Sequence, residues 1–282
     1  MTTAIPITLP GGLWVDGVCH RQAFLRPLSG ADEEFLLDAG DGLLPAQKTT
    51  ALLSRSVTQL GTLAPLTAEA ARSLTVGDRE ALLLHLRRVT LGERLPCVVA
   101  CPASGCGQKM DVDLTASELL LPPYRTEPAY ERPIAVNGET RPIRFRLPTG
   151  ADQEEAAAAA RRDPPAAVKL LLERCVDGEG IERSIPEIAA QVGQAMSELD
   201  PQAELDISLT CPACGHSFST LFDTASYFFQ ELAVRARHLY REVHLLALHY
   251  HWSEPEILSL TPRRRGLYLE MLSDALGREE GR

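Results

Sequence analysis

The sequence predicts an α+β fold of two tandem related repeats that meet at a shared four-cysteine site, followed by a helical C-terminal extension. Three observations predict it. Two short cysteine-bearing stretches, CPASGCG at 101–107 and CPACGH at 211–216, each lie between strand-like segments. Landmarks upstream of the first stretch recur, in the same order, upstream of the second. From Thr224 onward apolar residues recur at spacings of three and four, the period of a helix face.

The repeated landmarks begin with a hairpin signal. WVDGV at 14–18 and AVNGE at 135–139 place Asp-Gly and Asn-Gly between short apolar segments, and such dipeptides favour the tight turn that needs positive φ. RPLSGADEE at 26–34 and RLPTGADQE at 146–154 come next. Each puts Ser29 or Thr149 at a helix start with Asp32 or Asp152 three residues on, in the spacing of a capping box. ALLSRSV at 51–57 then answers LLLERCV at 170–176, and each half ends in its cysteine knuckle. The offset drifts only from 121 to 110 residues across the four landmarks, as expected of an internal duplication. The units are residues 1–120, a proline-rich connector 121–132, residues 133–223, and the extension 224–282.

Within the first unit, residues 75–92 form the clearest helix. Thr75 and Asp78 are its capping pair, Leu82, Leu83, Leu86 and Val89 line one face, and Gly92 stops it. His85 in this run reads as a packed or surface residue rather than a ligand. In the second unit, AAAAARRDPP at 156–165 reads as a short helix stopped by Pro164 and Pro165. The extension opens with about six turns of sustained helix through Phe229, Leu232, Ala236, Leu239, Val243, Leu246 and Tyr250. Ser253 with Glu256 caps a short helix, and Thr261-Pro262 starts a last one whose first turn carries Arg263, Arg264 and Arg265. A basic first turn opposes the helix dipole, so the triplet points outward to solvent or to an acidic partner.

The knuckles carry the chemistry. Met110, Val112 and Leu114 alternate with Asp111 and Asp113 after the first, and Leu205, Ile207 and Leu209 alternate with Asp206, Ser208 and Thr210 before the second. Period-two alternation beside a glycine-bearing turn is a β-hairpin. Two hairpin tips supply two thiolates each, the four ligands of a closed structural zinc site. The expected ligands are Cys101, Cys106, Cys211 and Cys214 around one zinc ion per chain, with Cys97 or His216 as alternative ligands. An iron–sulfur cluster takes the same four thiolates, but nothing nearby suggests electron transfer, and disulfides within each knuckle conflict with a reducing compartment. Four thiolates fill the coordination shell, so the site is expected to be structural.

Bulk properties set the function class. A net charge of −10 disfavours nucleic acid as the main partner, and the knuckles are flanked by Asp111, Asp113 and Asp206 with Lys109 as the nearby base. No apolar run reaches the length of a membrane span, and MTTAIPITLPGG lacks the basic start and apolar core of a signal peptide, so a cytoplasmic protein is expected. No spacing singles out an acid/base pair, nucleophile or phosphate loop, so neither an enzyme nor a small-molecule substrate is expected.

Taken together, LPGGLWVDG, FLRPLSGADEEFLLDAG, LTVGDREALLLHLRRVTLG, the CP-type knuckles and YHWSEPEILSLTPRRRGLYLEML resemble the T-even-type baseplate hub and hub-assembly family of contractile phage tails, which also occurs in phage-like contractile injection systems. The resemblance covers most of the chain in scattered motifs, and the terminal segment also looks like small tail assembly chaperones. It implies a structural or assembly role among other baseplate, hub or tail proteins, with no catalytic residues to carry over. Cytoplasmic assembly followed by residence in the tail or injection particle is the location it implies. The competing expectations are a transient assembly chaperone absent from the mature particle and a zinc-ribbon nucleic-acid-binding accessory protein.

Overall fold

The structure is a computed structural model that describes residues 4–38, 42–136, 139–177 and 186–280. The first unit opens with β1 (Ile5–Val15) and β2 (Val18–Leu25), joined at Asp16-Gly17, where both residues take positive φ as the Asp-Gly turn requires. α1 (Gly30–Asp38) and α2 (Pro45–Ser56) follow, and β3 (Val57–Leu60) returns to pair with β2 in a three-stranded antiparallel sheet. α3 (Ala68–Ser73) leads into α4 (Val76–Leu91). Ile7, Leu9, Leu25, Leu52, Leu53, Leu82, Leu83 and Leu86 close the core between this sheet and these helices.

The knuckle hairpin β4 (Arg94–Ala100) and β5 (Lys109–Thr115) comes next, then α5 (Ala116–Leu119) and the proline-rich connector. The second unit runs through β6 (Tyr130–Val136), β7 (Glu139–Phe145), α6 (Gly150–Ala160), α7 (Pro164–Cys175), β8 (Val176–Asp177) and α8 (Pro186–Leu199). Its sheet has the order β6-β7-β8, around a core of Tyr130, Ile134, Ile143, Phe145, Leu172, Ile188 and Val192. The expected Asn137-Gly138 turn lies outside the described residues. A second knuckle hairpin, β9 (Asp206–Thr210) with β10 (Ser217–Leu221), precedes α9 (Thr224–Ala236), α10 (Leu239–Tyr250), α11 (Glu254–Leu258) and α12 (Pro262–Glu280).

The local chemistry around Asp32 and Asp152 matches bond for bond. Asp32, fully buried, accepts from both Arg26 terminal nitrogens (2.6 and 3.0 Å), Arg55 Nε (3.0 Å) and the Ser29 N–H (2.9 Å). Asp152, also fully buried, accepts from both Arg146 terminal nitrogens (2.6 and 3.0 Å), Arg174 Nε (2.7 Å) and the Thr149 N–H (2.8 Å). The third strand is tied in the same way, Arg26 N–H donating to Ser56 O and Arg146 N–H to Cys175 O. The capping-box spacing therefore serves a larger purpose. The aspartate closes on its cap residue and at the same time fixes one arginine from the preceding strand and one from the second helix.

Two expected helix boundaries need correction. Pro164 and Pro165 open α7 rather than merely ending α6, because the first turn of a helix needs no N–H from the residue there. The sustained helix from Thr224 is two helices broken at Arg237–His238. The apolar spacing runs through the break because both helices bury a face. Phe228 and Leu232 of α9 enter the first unit's core, whereas Leu239, Val243 and Leu246 of α10 pack with Ile257 and Leu258 of α11. The connector, although it has no regular structure before Tyr130, is tied down: Tyr124 N–H donates to Pro10 O and the Thr126 hydroxyl to Gly11 O.

Asp78 also departs from the simple cap. Thr75 accepts from Asp78 N–H as expected, but the fully buried Asp78 carboxylate turns away and accepts from Gly11 and Gly12 N–H at 2.8 and 2.7 Å. A register shift between Thr8 and Leu13 frees those two N–H groups from the ladder. Burial pushes Asp78 up to about 7, against the pull of the Gly11 N–H and with Asp200 adding to the rise. A carboxyl raised above its unfolded value contributes fully only below that value, and loses the contribution as pH climbs toward about 7. Asp78→Asn is expected to flatten this fall between about pH 4 and 7 while costing about 1–3 kcal/mol, because its amide nitrogen meets a glycine N–H. Urea denaturation across that range checks it; an unchanged slope would rule out Asp78 as the titrating group.

Candidate metal centre

Each knuckle tip is shaped by backbone before any ligand is considered. Gly105, Gly107 and Gly215 take positive φ, which lets the chain turn sharply enough for both cysteines of a tip to face one side. Cys101 N–H donates to Gln108 O and Cys106 N–H to Ala103 O in the first tip. In the second, Cys211 N–H donates to His216 O and Gly215 N–H to Cys211 O.

The two hairpins belong to separate sheets, yet their tips meet. The sulfurs of Cys101, Cys106, Cys211 and Cys214 all lie within 4.8 Å of one another. Two contacts cross between the tips, Cys101 Sγ to Cys214 Sγ at 3.7 Å and Cys106 Sγ to Cys211 Sγ at 3.8 Å. A tetrahedron with metal–sulfur bonds of about 2.3 Å has sulfur–sulfur edges of about 3.8 Å. A disulfide would bring the atoms to about 2.05 Å, and all seven cysteines are free. The donor set and its spacing fit a tetrahedral metal ion.

Electrostatics at the site point the same way. Cys211 is drawn down to about 7 by the Cys214 and Ala213 N–H groups directed at its sulfur. Cys101, despite the Ala103 N–H at its own sulfur, is pushed up to about 12 by burial and the three neighbouring thiols. Sulfurs this close cannot all ionise without a cation between them, and a bound divalent ion removes that conflict. Val99, Met110, Val112 and Phe218 pack around the sulfurs.

Cys97 and His216 stand outside the cluster. Cys97 directs its thiol to Leu95 O at 3.4 Å, and the His216 ring stacks on Phe218 with centroids 6.0 Å apart. The hairpin stems meet as well, where Leu95, Leu205, Leu84, Ala116 and Leu119 form one apolar cluster. Any ion at the tips therefore closes a seam that begins in side-chain packing.

The helix starts at Gly30 and Gly150 are also held by buried arginines, Arg79, which sequence reasoning passed over, and Arg265, which it directed outward. Arg79, fully buried in α4, donates to Gln153 of α6 (3.0 Å), Ala46 O (2.7 Å), Thr50 Oγ1 (3.0 Å) and Ala71 O (2.9 Å). A Cβ on Gly150 would run into its guanidinium, so this approach needs glycine. Arg265, only 2% exposed, pairs with Glu33 and Glu242 and sits against Gly30 in the same manner. The outward direction expected for Arg265 is thereby corrected; Arg263 and Arg264 are exposed. The shared Leu-Thr at 74–75 and 260–261, each with an arginine four residues after the threonine, was the signal in the sequence.

Beside this joint lies a cavity of about 480 Å³, walled by Pro45, Val76, Pro148, Ala156 and Met196. Glu80 reaches it, pushed up to about 7 by burial. Among the described residues no helix is long and apolar enough to cross a membrane.

No curated protein and no solved structure matches the chain. A family model does: the one described as T4 bacteriophage base plate protein matches residues 22–230, a span that holds all four clustered cysteines and both helix starts at Gly30 and Gly150. The chain belongs to the T4 bacteriophage base plate protein family.

Proposed function

We propose that this protein is a non-enzymatic structural or assembly component of the baseplate of a contractile phage tail or phage-like injection system, and that it acts through contacts with other baseplate, hub or tail proteins. One zinc ion per chain, held by Cys101, Cys106, Cys211 and Cys214, fastens two related halves into one body. The observation that carries this reading is the convergence of four thiols, two from each half, at tetrahedral spacing. Four thiolates leave no open position for substrate, so the ion's contribution is to stability. The paired Asp32 and Asp152 networks support descent of the halves from one duplicated unit. The halves are residues 1–120 and 133–223, linked by 121–132, with 224–282 as the extension. The protein is assembled in the cytoplasm and stays in the particle.

Mass spectrometry of purified particles tests permanence. The chain is expected in fixed stoichiometry with the tube and sheath proteins. Presence in the lysate with absence from particles would assign it instead to transient assembly.

A further inference from the structure

α12 begins as α4 does. Leu74 O accepts from Gly150 N–H and Leu260 O from Gly30 N–H, both at 3.0 Å. Arg79 then reaches Gln153, the residue after Asp152, and Arg265 reaches Glu33, the residue after Asp32. Continuing the match along the helices, Ala81, Leu84 and His85 of α4 correspond to Leu267, Glu270 and Met271 of α12. In α4 this face is covered: Ala81 and Leu84 are fully buried, His85 is 9% exposed, and Leu84 lies beneath Leu95, Ala116, Leu119 and Leu205. In α12 it is open, with Leu267 52% and Met271 62% exposed.

The charges on that open face are arranged lengthwise. Arg263, Leu267, Glu270, Met271 and Asp274 follow one another at helical spacing along one side, with Arg264 flanking. Among the described residues neither the arginines nor the two acids have an ion-pair partner. Arg263 also shares a hollow of about 310 Å³ with Arg88 and Arg235, and no carboxylate lines it. A basic first turn opposes the helix dipole, and the acidic side chains Glu270 and Asp274 follow about two and three turns later. Such a stripe is complementary to itself in reverse. When two α12 helices run antiparallel and are centred between Leu267 and Met271, each Leu267 faces the other copy's Met271. Each Arg264 then stands level with the other copy's Asp274.

We infer that α12 pairs antiparallel with α12 of a second copy of this chain, burying Leu267 and Met271 and matching Arg264 with Asp274. The pair is two-fold, each helix presenting the same patch to the other. A contact of this size makes a weak dimer, formed at roughly 100 µM and favoured where copies are held close.

Sedimentation equilibrium of the full-length, metal-loaded protein tests it. A dimer is expected at roughly 100 µM, in the range of small interfaces. Met271→Glu should weaken it about tenfold or more, as loss of a central apolar contact does. Arg264→Asp should weaken it, and Arg264→Asp combined with Asp274→Arg should restore it. All three positions are exposed, so the monomer's melting temperature should not move, and melting curves verify that each variant is folded. A monomer throughout this range overturns the inference. So does any assembly, dimer or larger ring, that Met271→Glu and the charge exchange leave unchanged.

Discussion

Stripping the metal from reduced protein is expected to lower its melting temperature by about 20 °C or more. Structural zinc in four-ligand sites contributes on the order of 10 kcal/mol of binding free energy. A chain of this size loses roughly 2–4 °C for each kcal/mol. The two thiol pairs lie more than a hundred residues apart in the chain, so every ligand pair across the tips closes a long loop. Without the cation, only weak S–H···S contacts at 3.7–3.8 Å join the tips, and they do not replace four metal–sulfur bonds. The shared apolar cluster at the stems resists that separation but is limited to a few side chains. Cys214→Ser should reproduce most of the loss even though Cys214 is exposed, whereas Cys97→Ser, outside the cluster, should shift melting only slightly. Thermal unfolding with and without a chelator provides the comparison. Equal melting of apo and loaded protein would exclude the clamp.

Removing either buried aspartate should be the next most damaging change. Asp32→Ala and Asp152→Ala each leave two arginines and a helix-start N–H without their acceptor. Breaking a buried pair by deleting one member costs about 3–5 kcal/mol. The arginine side chains here are 28–37% exposed and recover some hydration, so about 2–4 kcal/mol is expected. Because the networks match bond for bond, the two costs should agree within about 1 kcal/mol. Burial opposes ionisation at both aspartates, but Arg26 holds Asp32 below the usual carboxylate range and Arg146 holds Asp152 well below it. A lowered carboxyl contributes above its unfolded pKa and loses that contribution as pH falls through the folded value. The penalty of each substitution should therefore be full above about pH 4 and shrink in stronger acid. Chemical denaturation at pH 7 and pH 2.5 reads both effects; a cost below about 1 kcal/mol at pH 7 would remove the networks from the account.

Features set by short-range chemistry were legible in the sequence. Asp16-Gly17 forms its turn, Thr75 caps α4, Gly92 ends it at positive φ, and both knuckles lie on hairpins. Features set by distant partners were not. Asp78 has the spacing of a cap residue, and only the glycines freed by the bulge in β1 redirect it. Arg265 reads as one of three solvent-facing arginines until Glu33, distant in the chain, is placed beside it. Nothing at Arg237–His238 resembles a breaker, since neither proline nor glycine occurs there. Pro164 and Pro165 show the same ambiguity in reverse, because a residue without an N–H suits the end of one helix and the start of another.

Zinc-edge X-ray absorption, together with elemental analysis of reduced protein purified without added metal, probes the four-sulfur centre itself. One zinc per chain, surrounded by four sulfurs at about 2.3 Å, is the expected result. A metal content far below one per chain, or nitrogen or oxygen among the atoms bonded to the ion, would contradict it.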